Sequence, residues 1–335
     1  NPLSDGVDGT VDALIEVFGA KKIPVTVTGP LGEKVSCYYG FLEETKSAVM
    51  EMASAAGITL VTKKDPLRAS TYGVGEMIAD ALKRGCKNFM IGIGGSATND
   101  GGIGMLKALG FEFFDEDGND VGEGAAALVK IEVIRTENKN PLLSGAKFQI
   151  ACDVKNPLSC KQGATYIFGP QKGVTEEQKE QVDEAMRHYA DVTKESLDCD
   201  FADCEGAGAA GGLGYAFLSY LAGELIPGVE LILQATGLEE KMKNADVVVT
   251  GEGRLDAQTV MGKAPAGVAA LAKKYNAKVI AFAGSVAPEA KVCNRAGIDA
   301  FFPIVRGVTT LEEAMKKENA MENIAATAEQ VFRLL

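Results

Sequence analysis

Chemistry in this sequence concentrates in three short stretches that mix glycine with hydroxyl, amide and carboxylate side chains. The first is Gly94-Gly95-Ser96-Ala97-Thr98-Asn99-Asp100-Gly101-Gly102. The second is Asp153-Val154-Lys155-Asn156-Pro157, and the third is Gly251-Glu252-Gly253-Arg254-Leu255-Asp256-Ala257-Gln258-Thr259. Glycine lets backbone amides approach an anion, hydroxyls and amides donate hydrogen bonds, and carboxylates can hold a hard cation such as Mg2+. Arg254, Lys263 and Lys172, the last within Gly169-Pro170-Gln171-Lys172-Gly173, add positive charge. This set suits phosphoryl transfer, where a protein contributes mainly positioning and electrostatics.

The counts exclude other chemistries. A single His rules out a multi-His metal site. Seven Cys with no C-x-x-C pair read as reduced thiols in a cytoplasmic protein rather than a disulfide or zinc framework. With 34 basic and 46 acidic residues the net charge is −12, which argues against nucleic acid and against a polybasic membrane contact. No run approaches the roughly 18 apolar residues of a membrane-spanning helix. The P-loop pattern is absent, since Gly262-Lys263 is followed by Ala264. Two stretches match a dinucleotide fingerprint, Gly92-x-Gly94-x-x-Ala97 and Gly206-x-Gly208-x-x-Gly211. The first runs into polar residues and the second follows Asp203-Cys204-Glu205 rather than a strand, so both fail the context that motif needs.

Other candidates read more simply as structure. His188 lies on a Lys/Glu/Gln-rich helix and reads as a solvated side chain, which leaves acid–base work to Asp or Glu. Asp5, Asp8 and Asp12 read as caps and solvated charges, and the acidic run at 115–120 as a solvated turn rather than a calcium loop. Met50, Met52 and Met77 read as core filler.

Secondary structure must deliver the three loops. A loop at 1–10 leads to a helix over 11–18; strands are expected at 22–27 and 35–41, and a helix from Thr45 through Ala56 closed by Gly57. A helix over 71–84, a strand over 88–93, a helix over 104–109 and a strand over 148–152 follow. Thr175-Glu176-Glu177-Gln178 is a capping box opening a long helix to about Glu195, and 206–214 opens an apolar helix to Leu221. The last third alternates strands (246–250, 278–283, 300–305) with helices (259–275, 288–296), and a second capping box at Thr310–Glu313 opens the final helix. Such alternation implies parallel β-α-β units, with ligands beyond the carboxyl ends of the strands.

Taken together the motifs resemble the type-1 glycerate kinase family. The likeness rests on residues 91–102, on Cys152-Asp153-Val154-Lys155-Asn156-Pro157-Leu158, on Gly169-Pro170-Gln171-Lys172-Gly173, on residues 250–259 and on Gly262-Lys263. Ser4-Asp5-Gly6-Val7-Asp8-Gly9-Thr10 is similar to the family's Ser-Asp-Gly-Gly-Glu-Gly-Thr, departing at Val7 and Asp8. The family begins with a further segment, including a strand followed by Asp-Ser-Phe-Lys-Gly, so an N-terminal strand is expected to be missing from this sequence.

The resemblance implies two α/β domains. One is Rossmann-like, a doubly wound parallel sheet built discontinuously from 1–20 and 237–335; the other, 21–236, is inserted in it, with the active site in the cleft. The implied activity is ATP-dependent phosphorylation of D-glycerate by direct in-line transfer, with the 2-phospho product favoured over the 3-phospho product. ATP and Mg2+ are the expected cofactors. D-glycerate and ATP are the expected partners, with a homodimer allowed and neither nucleic acid nor membrane. The expected catalytic set is Asp100, Asp153, Arg254 and Lys263, with Asp100 or Asp153 as base and Arg254 on the substrate carboxylate or the transferring phosphoryl. Ser96, Thr98, Asn99, Asn156, Lys172 and Gln258 are expected on substrate, Gly94, Gly95, Gly251 and Gly253 on the nucleotide, and Glu252 and Asp256 on Mg2+. A non-catalytic sugar-acid or nucleotide-binding protein on the same fold is the competing reading. A hydroxy-acid dehydrogenase is a further one, weakened by the lack of an acid–base His.

Overall fold

The computed structural model describes residues 15, 19–235, 237–260 and 263–335. The expected loop at 1–10, the 11–18 helix (residue 15 apart), Asp5, Asp8, Asp12 and Gly262 lie outside the described residues. The chain divides into two compact units between Leu231 and Ile232.

The first unit is built on a six-stranded sheet in the order β1-β2-β3-β4-β7-β8. β1 (Lys21–Thr28) and β2 (Lys34–Leu42) form an antiparallel hairpin, the only pairing that so short a connection allows. β3 (Ser47–Glu51) pairs antiparallel with β2 and parallel with β4 (Asn88–Gly92), which pairs parallel with β7 (Lys147–Ala151), and β7 with β8 (Glu224–Ile226). β5 (Glu112–Phe114) and β6 (Val133–Arg135) make a separate antiparallel pair.

The expected helix from 45 to 56 is corrected: Ser47–Glu51 is a strand, and only Ala53–Ala56 is helical. The sequence Ser-Ala-Val-Met is buried on both faces between β2 and β4, and that burial outweighs the helix propensity of Ala and Met. Gly57 is accordingly extended rather than left-handed. Elsewhere the first unit's helices lie close to expectation, over Tyr72–Lys83, Ile103–Ala108, Glu176–Leu197 and Ala209–Leu221. Helix Ala164–Lys172, which carries the Gly169–Gly173 motif, was not expected. The Gln178 side chain reaches back to the Thr175 amide at 3.1 Å, as the capping box requires. Met50, Met52 and Met77 join Phe89, Ile91, Phe148 and Ile150 in one continuous core.

The second unit carries a parallel sheet ordered β11-β10-β9, with β9 Val247–Leu255, β10 Lys278–Val286 and β11 Ala300–Pro303. β9 runs five residues past the expected end at Thr250, so Glu252 and Arg254 sit on a strand rather than in a loop. Pairing with β10 as far as Leu255 opposite Val286 supplies the hydrogen bonds that hold Gly251 and Gly253 extended. The helix expected at 259–275 begins later: Ala257–Val260 is a 3-10 turn, and Ala264–Lys274 starts with Pro265 in its first turn. Ile280, Phe282, Ile304 and Val331, the last from helix Lys317–Phe332, form one core cluster of this unit, and Val268, Ala269, Ala272, Val279 and Ala281 are buried as well. Among the described residues no helix is long and apolar enough to cross a membrane.

Candidate active site

In the first unit, β4 and β7 end side by side, with Gly92 opposite Ala151. The loops that follow therefore leave the sheet from one edge, where an open α/β sheet places its ligands. Between them lies a cavity of about 220 Å³, walled by Gly94, Gly95 and Ser96, by Cys152, Asp153 and Val154, and by Phe168, Gln171 and Lys172 of one helix. Ala209 and Ala210 close it from the start of helix Ala209–Leu221. Of the expected residues, the fold brings Gly94, Gly95, Ser96, Asp153 and Lys172 together on this wall.

Thr98, Asn99 and Asp100 are not on it; they are fully buried beneath the loop. Asp100 Oδ2 accepts from the Thr71 amide and hydroxyl, both at 2.8 Å, and from the Gly104 amide at 3.3 Å, while Oδ1 accepts from Gly102 at 3.2 Å. Burial pushes this carboxyl above the usual range, and the four donors oppose that by favouring the charged form. Asp100 thus holds helix Ile103–Ala108 to helix Tyr72–Lys83, and its geometry is that of a structural anion. Asn99 Nδ2 donates to Thr165 Oγ1 at 3.0 Å. Thr98 Oγ1 and Asn99 Oδ1 are buried without hydrogen-bond partners.

Lys172 is also buried, and its Nζ donates to the Thr98 carbonyl at 2.6 Å. Burial lowers its pKa to about 7, with Asp100 opposing. Asp153, by contrast, is exposed, and its Oδ1 accepts from the Gly228 amide at 2.9 Å, at the start of helix Gly228–Ala235. Asn156 is not on the wall; its Nδ2 donates to the Gln162 carbonyl at 2.7 Å and staples its own loop.

The second glycine-rich stretch, 206–214, has a structural use. Residues 210–212 adopt left-handed conformations at the start of helix Ala209–Leu221. A Cβ on Gly211 would overlap the Thr98 carbonyl oxygen and lie 2.7 Å from Asn99 Cα, and one on Gly208 would overlap the Pro157 carbonyl. The Gly101 amide donates to the Gly211 carbonyl at 2.9 Å. These glycines serve dry contact between backbones rather than a dinucleotide.

In the second unit the motif forms one linked cluster. Thr259 Oγ1 accepts from the Asp256 amide at 3.1 Å and donates to Glu252 Oε1 at 2.5 Å. Asp256 Oδ1 accepts from the Gln258 amide at 2.8 Å. Lys263 Nζ stands 3.8 Å from Glu252 Oε2, and Arg254 Nε 3.9 Å from Asp256 Oδ2. The Arg254 side chain is 67% exposed, so its guanidinium has donors available for an anion. A Cβ on Gly251 would overlap the Phe282 carbonyl, which makes this glycine a packing requirement of the sheet, whereas Gly253 faces open space. Mg2+ takes oxygen ligands, commonly one or two carboxylates with substrate phosphates and water. Glu252 and Asp256 fit that pattern in donor type, and among the described residues no cluster of three potential ligands exists that would make a closed protein cage.

Sequence reasoning missed Phe168, Gln171, Ala209 and Ala210. The available signal was that Phe168 and Lys172 stand four apart on one helix and so share a face. His188 is half-buried rather than solvated, its Nε2–H donating to the Ile131 carbonyl at 2.7 Å.

Comparison with known proteins agrees over the full length. A family model described as the glycerate kinase family matches residues 1–335. Glycerate kinase of Bacillus subtilis (strain 168) is 44% identical over 332 residues, spanning 98% of this chain and 86% of that protein. Glycerate 2-kinase of Escherichia coli (strain K12) is 44% identical over 333 residues, spanning 97% and 87%. A crystal structure of a protein assigned as glycerate kinase 2 from Salmonella typhimurium LT2 superposes with a TM-score of 0.88 at 42% identity, covering 99% of this chain and 89% of that one.

Proposed function

This chain belongs to the glycerate kinase family, and on that premise we propose that it transfers the γ-phosphoryl group of ATP to a hydroxyl of D-glycerate, with O2 as the favoured acceptor. The observation that carries this reading is the first unit's cavity. At about 220 Å³ it is smaller than the roughly 300–1,000 Å³ of drug-sized ligand sites, and it pairs an exposed carboxylate with a buried amine. That composition suits a small hydroxy acid: the amine takes the carboxylate and the Asp takes the hydroxyl proton. The name of the Escherichia coli relative supports O2.

In this reading Asp153 orients the acceptor hydroxyl and receives its proton as the bond to phosphorus forms. Lys172 holds the substrate carboxylate, and Ser96 with the Gly94–Gly95 backbone donates to its oxygens. Thr98, Asn99 and Asn156 set the shape of the loops, and Asp100 anchors them. Arg254 and Lys263 neutralise charge on the transferring phosphoryl, with Gln258 beside them and Gly253, which faces open space, giving the nucleotide a flat approach. Glu252 and Asp256 would hold Mg2+, which supplies charge neutralisation between phosphate oxygens when bound. We further assign 1–20 and 237–335 to a Rossmann-like domain and 21–236 to the domain inserted in it. The seven Cys form no disulfide, which suits a reducing compartment such as the cytoplasm.

Phosphorus NMR of a reaction containing ATP, Mg2+ and D-glycerate tests the proposal. The expected product is 2-phosphoglycerate with one ADP formed per product. ADP release without a phosphoglycerate signal, or no turnover, overturns it.

A further inference from the structure

A lysine and an aspartate lie buried at one loop, Lys172 against the Thr98 carbonyl and Asp100 two residues further on. Lys172 is 2% exposed and Asp100 0%. Nζ ties to the Thr98 carbonyl, two residues before Asp100 in the chain, and the same lysine forms part of the cavity wall. A lysine whose task was only to staple Thr98 would carry a desolvation cost that a neutral donor avoids. A lysine that opens onto an acid-binding cavity needs the charge, and needs something to keep it.

The surroundings single out Asp100 as that partner. From the loop after β4 comes Asp100, buried two residues beyond the Thr98 carbonyl that Lys172 Nζ meets, and its charge opposes the fall in the lysine's pKa. From the loop after β7 comes Asp153, exposed on the same cavity and bonded to the Gly228 amide. Helix Glu176–Leu197 brings Tyr189 and Asp183, the latter turned to the Cys160 amide and Arg187. Helix Ala209–Leu221 brings only the phenols Tyr215 and Tyr220, and Lys64 comes beside Gly173. Asp100 accepts from four donors, three of them backbone amides, which favour its ionised form.

We propose that Lys172 is a switchable anion receptor, holding the substrate carboxylate only as an ammonium, and that Asp100 is the positioning residue that keeps it protonated. The proposal rests on the glycerate kinase reading and deepens it: the substrate class is a small acid bearing a carboxylate, and uncharged polyols are rejected. With no substrate bound, Lys172 loses its proton as pH rises through about 7. A bound carboxylate favours the ammonium and moves that loss to higher pH. Affinity therefore fades with rising pH while turnover of the bound complex persists.

The test combines two readouts. In the first, protein labelled with 13C at lysine Cε is titrated without substrate, and the Lys172 signal is assigned by its loss in Lys172→Arg. A midpoint near neutrality in wild type, moving down by roughly 1–3 pH units in Asp100→Asn, is expected. A midpoint at the ordinary lysine value of about 10.4 overturns the proposal from wild type alone, even if Asp100→Asn fails to fold. In the second, kcat/KM for D-glycerate should fall about tenfold per pH unit above the midpoint through a rising KM with steady kcat. In Lys172→Arg, whose guanidinium does not titrate, that limb should vanish; a limb unchanged in this variant overturns the proposal. If no glycerate is phosphorylated at any pH, the assigned activity fails, and the 13C titration still decides the charge pair.

Discussion

Gly211→Ala is the substitution whose outcome the structure constrains most tightly. The new Cβ would overlap the Thr98 carbonyl and stand 2.7 Å from Asn99 Cα, where real Cβ contacts stay beyond 3.0 Å. Both obstacles are backbone, so rotamer changes cannot relieve them. The residue also sits at φ +71, which costs a side-chain-bearing residue about 1–2 kcal/mol. Adding overpacking of about 1–3 kcal/mol gives a total of roughly 2–5 kcal/mol. Relief requires the 94–102 loop to retreat, which breaks the Lys172 bond to Thr98 and shifts Ser96 and Gly95 on the cavity wall. A displacement of about 1 Å at a positioning group can cost 10²-fold in rate. Melting curves and an ADP-coupled assay with D-glycerate should therefore show a clear fall in Tm and a loss of about 10²-fold in kcat/KM. Gly118→Ala is the control, since it shares a positive φ and meets nothing within 4 Å. It should lose only the conformational penalty and keep full activity. Wild-type kcat/KM in Gly211→Ala would refute the claim that these two loops set the cavity's geometry.

Three further outcomes bear on the proposed roles. Arg254→Lys keeps charge and loses the planar fork, so kcat/KM should drop about 10²-fold in steady-state kinetics; near wild-type values would remove Arg254 from the phosphoryl. Asp153→Asn retains an acceptor for the Gly228 amide but no base, so kcat should fall by about 10²–10⁴-fold while Tm stays within a degree or two. Unchanged kcat would show that Asp153 only caps helix Gly228–Ala235. Glu252→Gln keeps an acceptor for Thr259 and removes a hard anionic ligand, so the Mg2+ concentration for half-maximal rate should rise about tenfold; an unshifted Mg2+ titration would place the ion elsewhere.

Much of the site was legible because glycine, hydroxyl and carboxylate residues cluster where β4 and β7 end, and local composition reports that directly. The α/β class was legible from the alternation of strands and helices. What stayed hidden depended on distant parts of the chain. Ser47–Glu51 carries helix-favouring residues, and only its burial between β2 and β4 makes it a strand. Glu252 and Arg254 lie in a glycine pattern that reads as loop until β10 supplies their ladder. Asp100 looks like Asp153 in sequence, since both follow a strand in a polar loop. The difference is Thr71 and the amides of Gly102 and Gly104, which surround one carboxylate and not the other. Lys172 gave no sign of its burial, because its helix packs against helices Glu176–Leu197 and Ala209–Leu221, contacts that the local sequence does not report.

The interlock between residues 98–101 and Gly211–Gly212 also limits how such a chain can diverge. The two backbones meet at atomic range, so a side chain added at either glycine collides with the facing segment. Substitutions there should be inherited as matched sets, and a chimera exchanging one segment between distant relatives should work only if its counterpart travels with it.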